Sequence, residues 1–204
     1  GLYSYSLFKY SRSFVNRINP AVELGRSFVR PEYQRNFTPL MLLWKGIGRF
    51  VARHPCYAVL FGPVSISNEY SSMSQQLLIE FLRHNMFDMA LGRKVKPRSP
   101  YRGRSLQRLR TTNVDGLKSI EDLSELVADI ESDDKGVPVL IRQYLKLGGR
   151  MLGFNIDDQF SDVVDGLIRV DLRETDPRIL QKYMGQEDAQ AFINYHSEIS
   201  RKAG

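Results

Sequence analysis

A chain of 204 residues, 42% hydrophobic and 25% charged, has the composition of a folded globular protein and enough length for a sizeable core. It holds no apolar run near the roughly 18–20 residues of a membrane-spanning helix, and Gly1 to Tyr10 lack the basic start and apolar stretch of a signal peptide. The single cysteine, Cys56, excludes an internal disulfide, and with His84 and His196 far apart no metal site is expected.

The net charge of +6 divides unevenly. Residues 1–110 carry 18 Lys/Arg against 5 Asp/Glu, a balance of +13, while residues 111–204 carry 11 against 18, a balance of −7. A basic half of this kind attracts nucleic acid, anionic lipid headgroups or an acidic carrier protein.

In chain order, Tyr3 to Lys9 read as a strand entering a turn. Ala21 to Val29 read as a second strand, in which Gly25 marks a bulge or a point where a ligand meets the backbone. Thr38 and Pro39 predict a helix start as cap and first helical residue, and Leu43, Ile47 and Val51 continue its apolar face towards His54-Pro55. Tyr57 to Phe61 form an apolar strand pattern that stops at Gly62-Pro63 and resumes over Val64 to Ser67. A helix over 72–84 follows. The order strand, helix, strand, helix predicts an α/β fold with adjacent parallel strands.

Eight of the residues from Arg93 to Arg110 are Lys or Arg and none is acidic, so this stretch reads as a loop or linker unable to bury a core. Ser119 and Asp122 make a capping box for a helix with an apolar stripe from Ile120 to Ile130. A helix over 137–147, strands over 150–155 and 166–172, a helix from Asp176-Pro177 to Gly185 and a last helix over 187–200 complete the pattern. The expected division is a core of residues 1–92, a basic linker over 93–118 and an α+β extension over 119–204.

The chemistry concentrates in Glu23-Leu24-Gly25-Arg26 and the residues up to Tyr33, directly before the first long helix. A bulged strand beside a helix N-terminus offers free N–H groups and a positive dipole end. Acyl transfer from a thioester to an amine uses such donors for the carbonyl oxygen and a carboxylate for the amine's proton. The residues alone leave a plainer alternative open, in which Glu23 is solvated or paired with Arg26.

Val22-Glu23-Leu24-Gly25-Arg26-Ser27-Phe28-Val29-Arg30-Pro31-Glu32-Tyr33, the Leu-Leu-Trp-Lys-Gly-Ile helix and Leu60-Phe61-Gly62-Pro63-Val64-Ser65 resemble the hemolysin-like acyltransferase family. That family is similar to ornithine N-acyltransferases and, more distantly, to acyl-homoserine-lactone synthases. The resemblance implies a GNAT-like mixed sheet with flanking helices that lacks its N-terminal strands here, followed by the α+β extension. It implies transfer of a fatty acyl group from acyl carrier protein to an amine in membrane lipid synthesis, with acyl-phosphopantetheine as co-substrate and no tightly bound cofactor. Glu23 and Arg26 take the catalytic positions, with Glu23 positioning or deprotonating the amine. Ser27, Phe28, Val29, Asn36 and Thr38 would hold the thioester. Ser65, Ser67 and Asn68, at a strand end, are acceptor-site candidates, although turn chemistry explains them as well. Arg30, Arg35, Arg93, Lys94, Lys96 and Arg98 would face the carrier protein or an anionic membrane surface at its cytoplasmic side.

The turn Gln34 to Pro39 has no glycine, which argues against a coenzyme A pyrophosphate grip and for a carrier-protein donor. The missing early strands imply that the chain begins inside a longer protein, or that a second copy completes the sheet. The basic loop has Tyr101 as its stacking aromatic and no recognition motif, so nucleic acid is not expected. The alternative reading is a non-catalytic docking or regulatory module fused to a glycerolipid acyltransferase.

Overall fold

The computed structural model describes residues 1–25, 30–33, 37–103, 117 and 119–203. Arg26 to Val29, Arg35 and Asn36, among the site candidates above, lie outside the described residues.

The chain opens with a 3-10 turn, Tyr3–Ser6, and strand β1, Phe8–Tyr10, so the strand expected over Tyr3 to Lys9 begins only at Phe8. The reason is a distant contact: the N–H groups of Tyr3 and Ser4 donate to the Glu23 carboxylate, and Leu7 N–H closes the turn on the Ser4 carbonyl. Helix α1, Arg12–Ile18, then forms because the Ser11 side chain accepts the Phe14 N–H while Phe14 and Ile18 bury one face.

Strand β2, Ala21–Glu23, leads to a short 3-10 turn, Pro31–Tyr33, and to helix α2, Phe37–Arg53. The helix starts at Phe37, so Thr38 lies exposed within the first turn instead of capping it. Pro39 also fits there, because a first-turn N–H has no partner to lose. Strand β3, Val59–Ile66, runs unbroken through Gly62 and Pro63. Helices α3, Ser72–Asn85, and α4, Met89–Gly92, lead into strand β4, Val95–Pro97. The basic stretch is therefore not wholly a loop. Its first part pairs antiparallel with β1 and buries Val95.

Helix α5, Ile120–Ile130, opens with the expected capping box, and α6, Val139–Lys146, follows. Strands β5, Arg150–Asp157, and β6, Val163–Asp171, precede α7, Pro177–Met184, and α8, Gln186–Ala203. Among the described residues the main sheet has the order β2-β3-β6-β5. Its β2–β3 pair is parallel, as the strand–helix–strand pattern implied, and β3–β6 and β5–β6 are antiparallel. Strands from 59–66 and 150–171 thus share one sheet. Alternation along β3 sends Val59 and Phe61 to a cluster with Phe8, Phe14 and Leu167, and Leu60, Val64 and Ile66 to a larger one with Leu77, Phe81 and Ile168. Both faces are covered, which is why these strands read as nearly continuous apolar runs.

Candidate active site

The site starts from a break in the sheet. The Leu24 N–H donates to the Phe61 carbonyl at 2.7 Å, the last bond of the described β2–β3 ladder. In a parallel register the next bond would run from residue 63 to the Leu24 carbonyl. Residue 63 is proline and has no N–H, so that bond cannot form, and the described ladder ends at Leu24. Gly62 makes the crossing possible, since a Cβ at that position would stand 2.3 Å from the Leu24 oxygen. Beyond this point β3 continues to Ile66 alongside β6.

A cavity of about 910 Å³ occupies the opening. Its two sides differ because neighbouring β3 residues face opposite ways. On the Val64 side it is walled by Leu43, Trp44 and Ile47 of α2 and by Leu140 and Tyr144 of α6. The Trp44 and Tyr144 rings meet edge to face at 5.1 Å. Trp44 is 4% exposed, and its indole N–H has no partner among the described residues.

The Ser65 side is polar. Ser65 pairs across the sheet with Asp165, and Asp165 with Asn155, so one row of three strands carries three polar side chains on one face. The Ser65 hydroxyl donates to Asp165 Oδ1 at 2.6 Å. Asn155 accepts the Ser99 N–H at 2.7 Å, which ties the segment following β4 to this wall. Asp157, Asp158, Gln159, Ser6 and Arg98 add to the polar lining. Arg98 is anchored through Nε to the Tyr5 carbonyl at 2.8 Å. Asp165 is only 3% exposed. Burial pushes its carboxyl above the ordinary range and the nearby Asp157 adds to this, while the Ser65 hydrogen bond opposes them.

The sequence candidates divide accordingly. Ser65 and Arg98 line the cavity. Glu23 is half-buried beside it, and both its carboxylate oxygens are engaged, by Ser4 N–H at 2.7 Å and Tyr3 N–H at 2.9 Å. Ser67 accepts the Glu69 N–H within the turn after β3, and Asn68 donates to the Ser161 carbonyl in the β5–β6 connection. Arg30 pairs with Glu32 in solvent. Arg93 and Lys96 are exposed, and Lys94 donates to Ser13. Asn155, Asp157 and Asp165 were missed as site residues. Their signal was available: polar side chains at alternate positions of strands that are otherwise apolar. Among the described residues no group of His, Cys, Asp and Glu is arranged to hold a metal ion, and no helix is long and apolar enough to cross a membrane.

Residues 1–45 match the family model of an acetyltransferase (GNAT) domain. The fold is GNAT-like. Over 94% of its length the chain is 30% identical to a glycine N(alpha)-acyltransferase of Bacteroides thetaiotaomicron. Over 96% it is 25% identical to a glycine N(alpha)-acyltransferase of Phocaeicola vulgatus. It spans 58% and 60% of the length of those two proteins. No solved structure matches the chain. The GNAT-like part matched by the family model ends within α2, whereas the cavity also needs β5, β6 and α6, which the matches to the two relatives take in.

Proposed function

We propose that this chain carries the acyl-transfer site of an N-acyltransferase that joins a fatty acyl group, delivered as a thioester, to the amine of an amino acid. The observation that carries this reading is the cavity beside β3 beyond Gly62, apolar on one side and, among the described residues, lined by Asp157, Asp158, Asp165 and Arg98 on the other. The apolar side suits an acyl chain, and the polar side suits a small zwitterion. The thioester carbonyl would sit between them, at the strand edge. There the alternation of the ladder turns the Ser65 N–H towards the opening, as a donor for the developing oxyanion.

An amino acid acceptor would present its carboxylate to Arg98, whose planar fork suits that group, and its ammonium to the acidic wall. The curated relatives' name, glycine N(alpha)-acyltransferase, makes glycine the first acceptor to try. Acyl carrier protein remains the proposed donor, supported by Pro39 in the first turn of α2 and by the basic first half of the sequence. Glu23, with both oxygens holding the N-terminal turn against the cavity, is proposed to act by fixing Tyr3 and Ser4 in place.

The test is to incubate the full-length protein with acyl carrier protein or coenzyme A thioesters, with glycine or ornithine as acceptor, and to detect the amide by mass spectrometry. An N-acyl amino acid formed from the carrier-protein thioester supports the reading. Thioester consumption without any amide would overturn it.

A further inference from the structure

Resting on the N-acyltransferase reading, we infer that Asp165, held by Ser65 and flanked by Asp157, is the group that binds the acceptor's ammonium and removes its proton. Three observations converge on it. Asp165 lies at the floor of the polar wall, between Ser65 on β3 and Asn155 on β5, in one cross-strand row. It is almost wholly buried, yet lines a cavity large enough for a ligand. It accepts a hydrogen bond from Ser65 Oγ at 2.6 Å, which fixes one oxygen and leaves the other for a donor. Trp44, whose buried indole N–H has no partner among the described residues, lines the same cavity on its apolar side.

The chemistry follows from charge. An amino acid arrives as an ammonium, which has no lone pair and cannot attack a carbonyl. Two carboxylates in a partly dry site attract that cation, and one of them takes a proton to leave the free amine. The amine nitrogen then bonds to the thioester carbon, and the C–S bond breaks as the tetrahedral intermediate collapses. The second nitrogen proton goes to the departing thiolate, so the products are an amide and a thiol, with one proton on Asp165 to be released to solvent. Asp165 suits the first transfer because burial and Asp157 raise its proton affinity above that of an ordinary carboxylate. Among the described residues the other titratable groups lining the cavity are Asp157, Asp158, Arg98, Tyr3 and Tyr144. Of these, Asp157 is paired diagonally to Asp165 across β5 and β6.

The experiment compares the full-length protein with Asp165→Asn and Ser65→Ala, following amide formation against pH with glycine as acceptor. Asp165→Asn keeps an oxygen for Ser65 but cannot take a proton. It is expected to lower kcat/KM at neutral pH by 100-fold or more, with activity then rising about tenfold per pH unit as free amine accumulates. Ser65→Ala removes the bond that holds the Asp165 pKa down, so the acid limb of the wild-type profile should move to higher pH. Circular dichroism melting reports whether each variant is folded. Wild-type activity in Asp165→Asn, or an unmoved acid limb in Ser65→Ala, overturns the assignment while leaving the acyltransferase reading intact. Wild type that makes no amide overturns that reading instead. If Asp165→Asn does not fold, the Ser65→Ala profile decides alone.

Discussion

Strand β3 is two different objects on either side of Gly62. From Val59 to Phe61 it is sealed, paired with β2 on one edge and β6 on the other, and apolar on both faces. From Pro63 to Ile66 it keeps β6, and the described ladder to β2 has ended. The faces there diverge, with Val64 turned to aromatic and aliphatic side chains and Ser65 turned to a buried carboxyl. The sealed half shows that an apolar strand in a covered sheet needs no special residue. In the open half, one residue without a side chain lets Leu24 cross and one without an N–H withholds a ladder bond, and alternation from Val64 to Ser65 gives the cavity its two kinds of wall.

The strongest way to break this comparison is to remove the crossing. Gly62→Ala places a methyl group 2.3 Å from the Leu24 carbonyl, and backbone on a central strand cannot yield cheaply. The expected cost is about 2–3 kcal/mol, or a fall in Tm of roughly 5–10 °C. A wild-type melting curve for Gly62→Ala would show that Leu24 does not pass over this strand.

Next in size is a change confined to the apolar wall. Leu43→Trp adds bulk on the α2 side while leaving Ser65, Asp165 and Arg98 untouched. Activity with long acyl thioesters should fall tenfold or more relative to short ones, with the KM for the amine unchanged. A rise in amine KM with unchanged chain-length preference would reverse the assignment of the two walls.

Much of this architecture was legible in the sequence. The capping box at Ser119, the proline after Asp176 and the apolar periodicity of α2, α3 and α5 fixed helices to within a few residues, because caps and periodicity are local signals. The site was only partly legible. Ser65 stood out as a strand-end hydroxyl, but Asp165 is separated from it by 100 residues and meets it only through an antiparallel pairing that no local pattern encodes. Tyr3–Ser6 was misread as strand for a related reason: the Glu23 carboxylate that folds it into a turn lies 19–20 residues away. Residues 95–97 looked unable to join a sheet because their charge dominates their composition, yet pairing with β1 needed only Val95 to face inwards.

A smaller effect is expected at Glu23, which borders the opening without lining it. Glu23→Gln replaces one of two accepting oxygens by an NH₂ group that cannot accept the N–H of Tyr3 or Ser4. Losing one charge-assisted bond should cost about 1–2 kcal/mol and lower Tm by a few degrees. Amide formation should fall in step with the loosened N-terminal turn, with the shape of the pH profile retained. A large loss of kcat at unchanged Tm would instead place Glu23 in proton transfer and return the catalytic role from the polar wall to β2.

The smallest effect belongs to Arg30, and it separates docking from stability. Its ion pair with Glu32 is 2.8 Å long, but the two side chains are 68% and 57% exposed, so solvent screens most of the attraction. Arg30→Ala should leave the unfolding free energy unchanged within about 0.5 kcal/mol. Arg98→Ala, at the cavity, should raise the KM for an amino acid acceptor without affecting a simple alkylamine, because only the amino acid has a carboxylate to lose. If carrier protein docks on the outer basic residues, Arg30→Ala raises KM for the carrier-protein thioester and leaves the coenzyme A thioester unaffected, most visibly at low salt. Equal KM values for both donors in wild type and Arg30→Ala would move the docking face away from the 3-10 turn before α2.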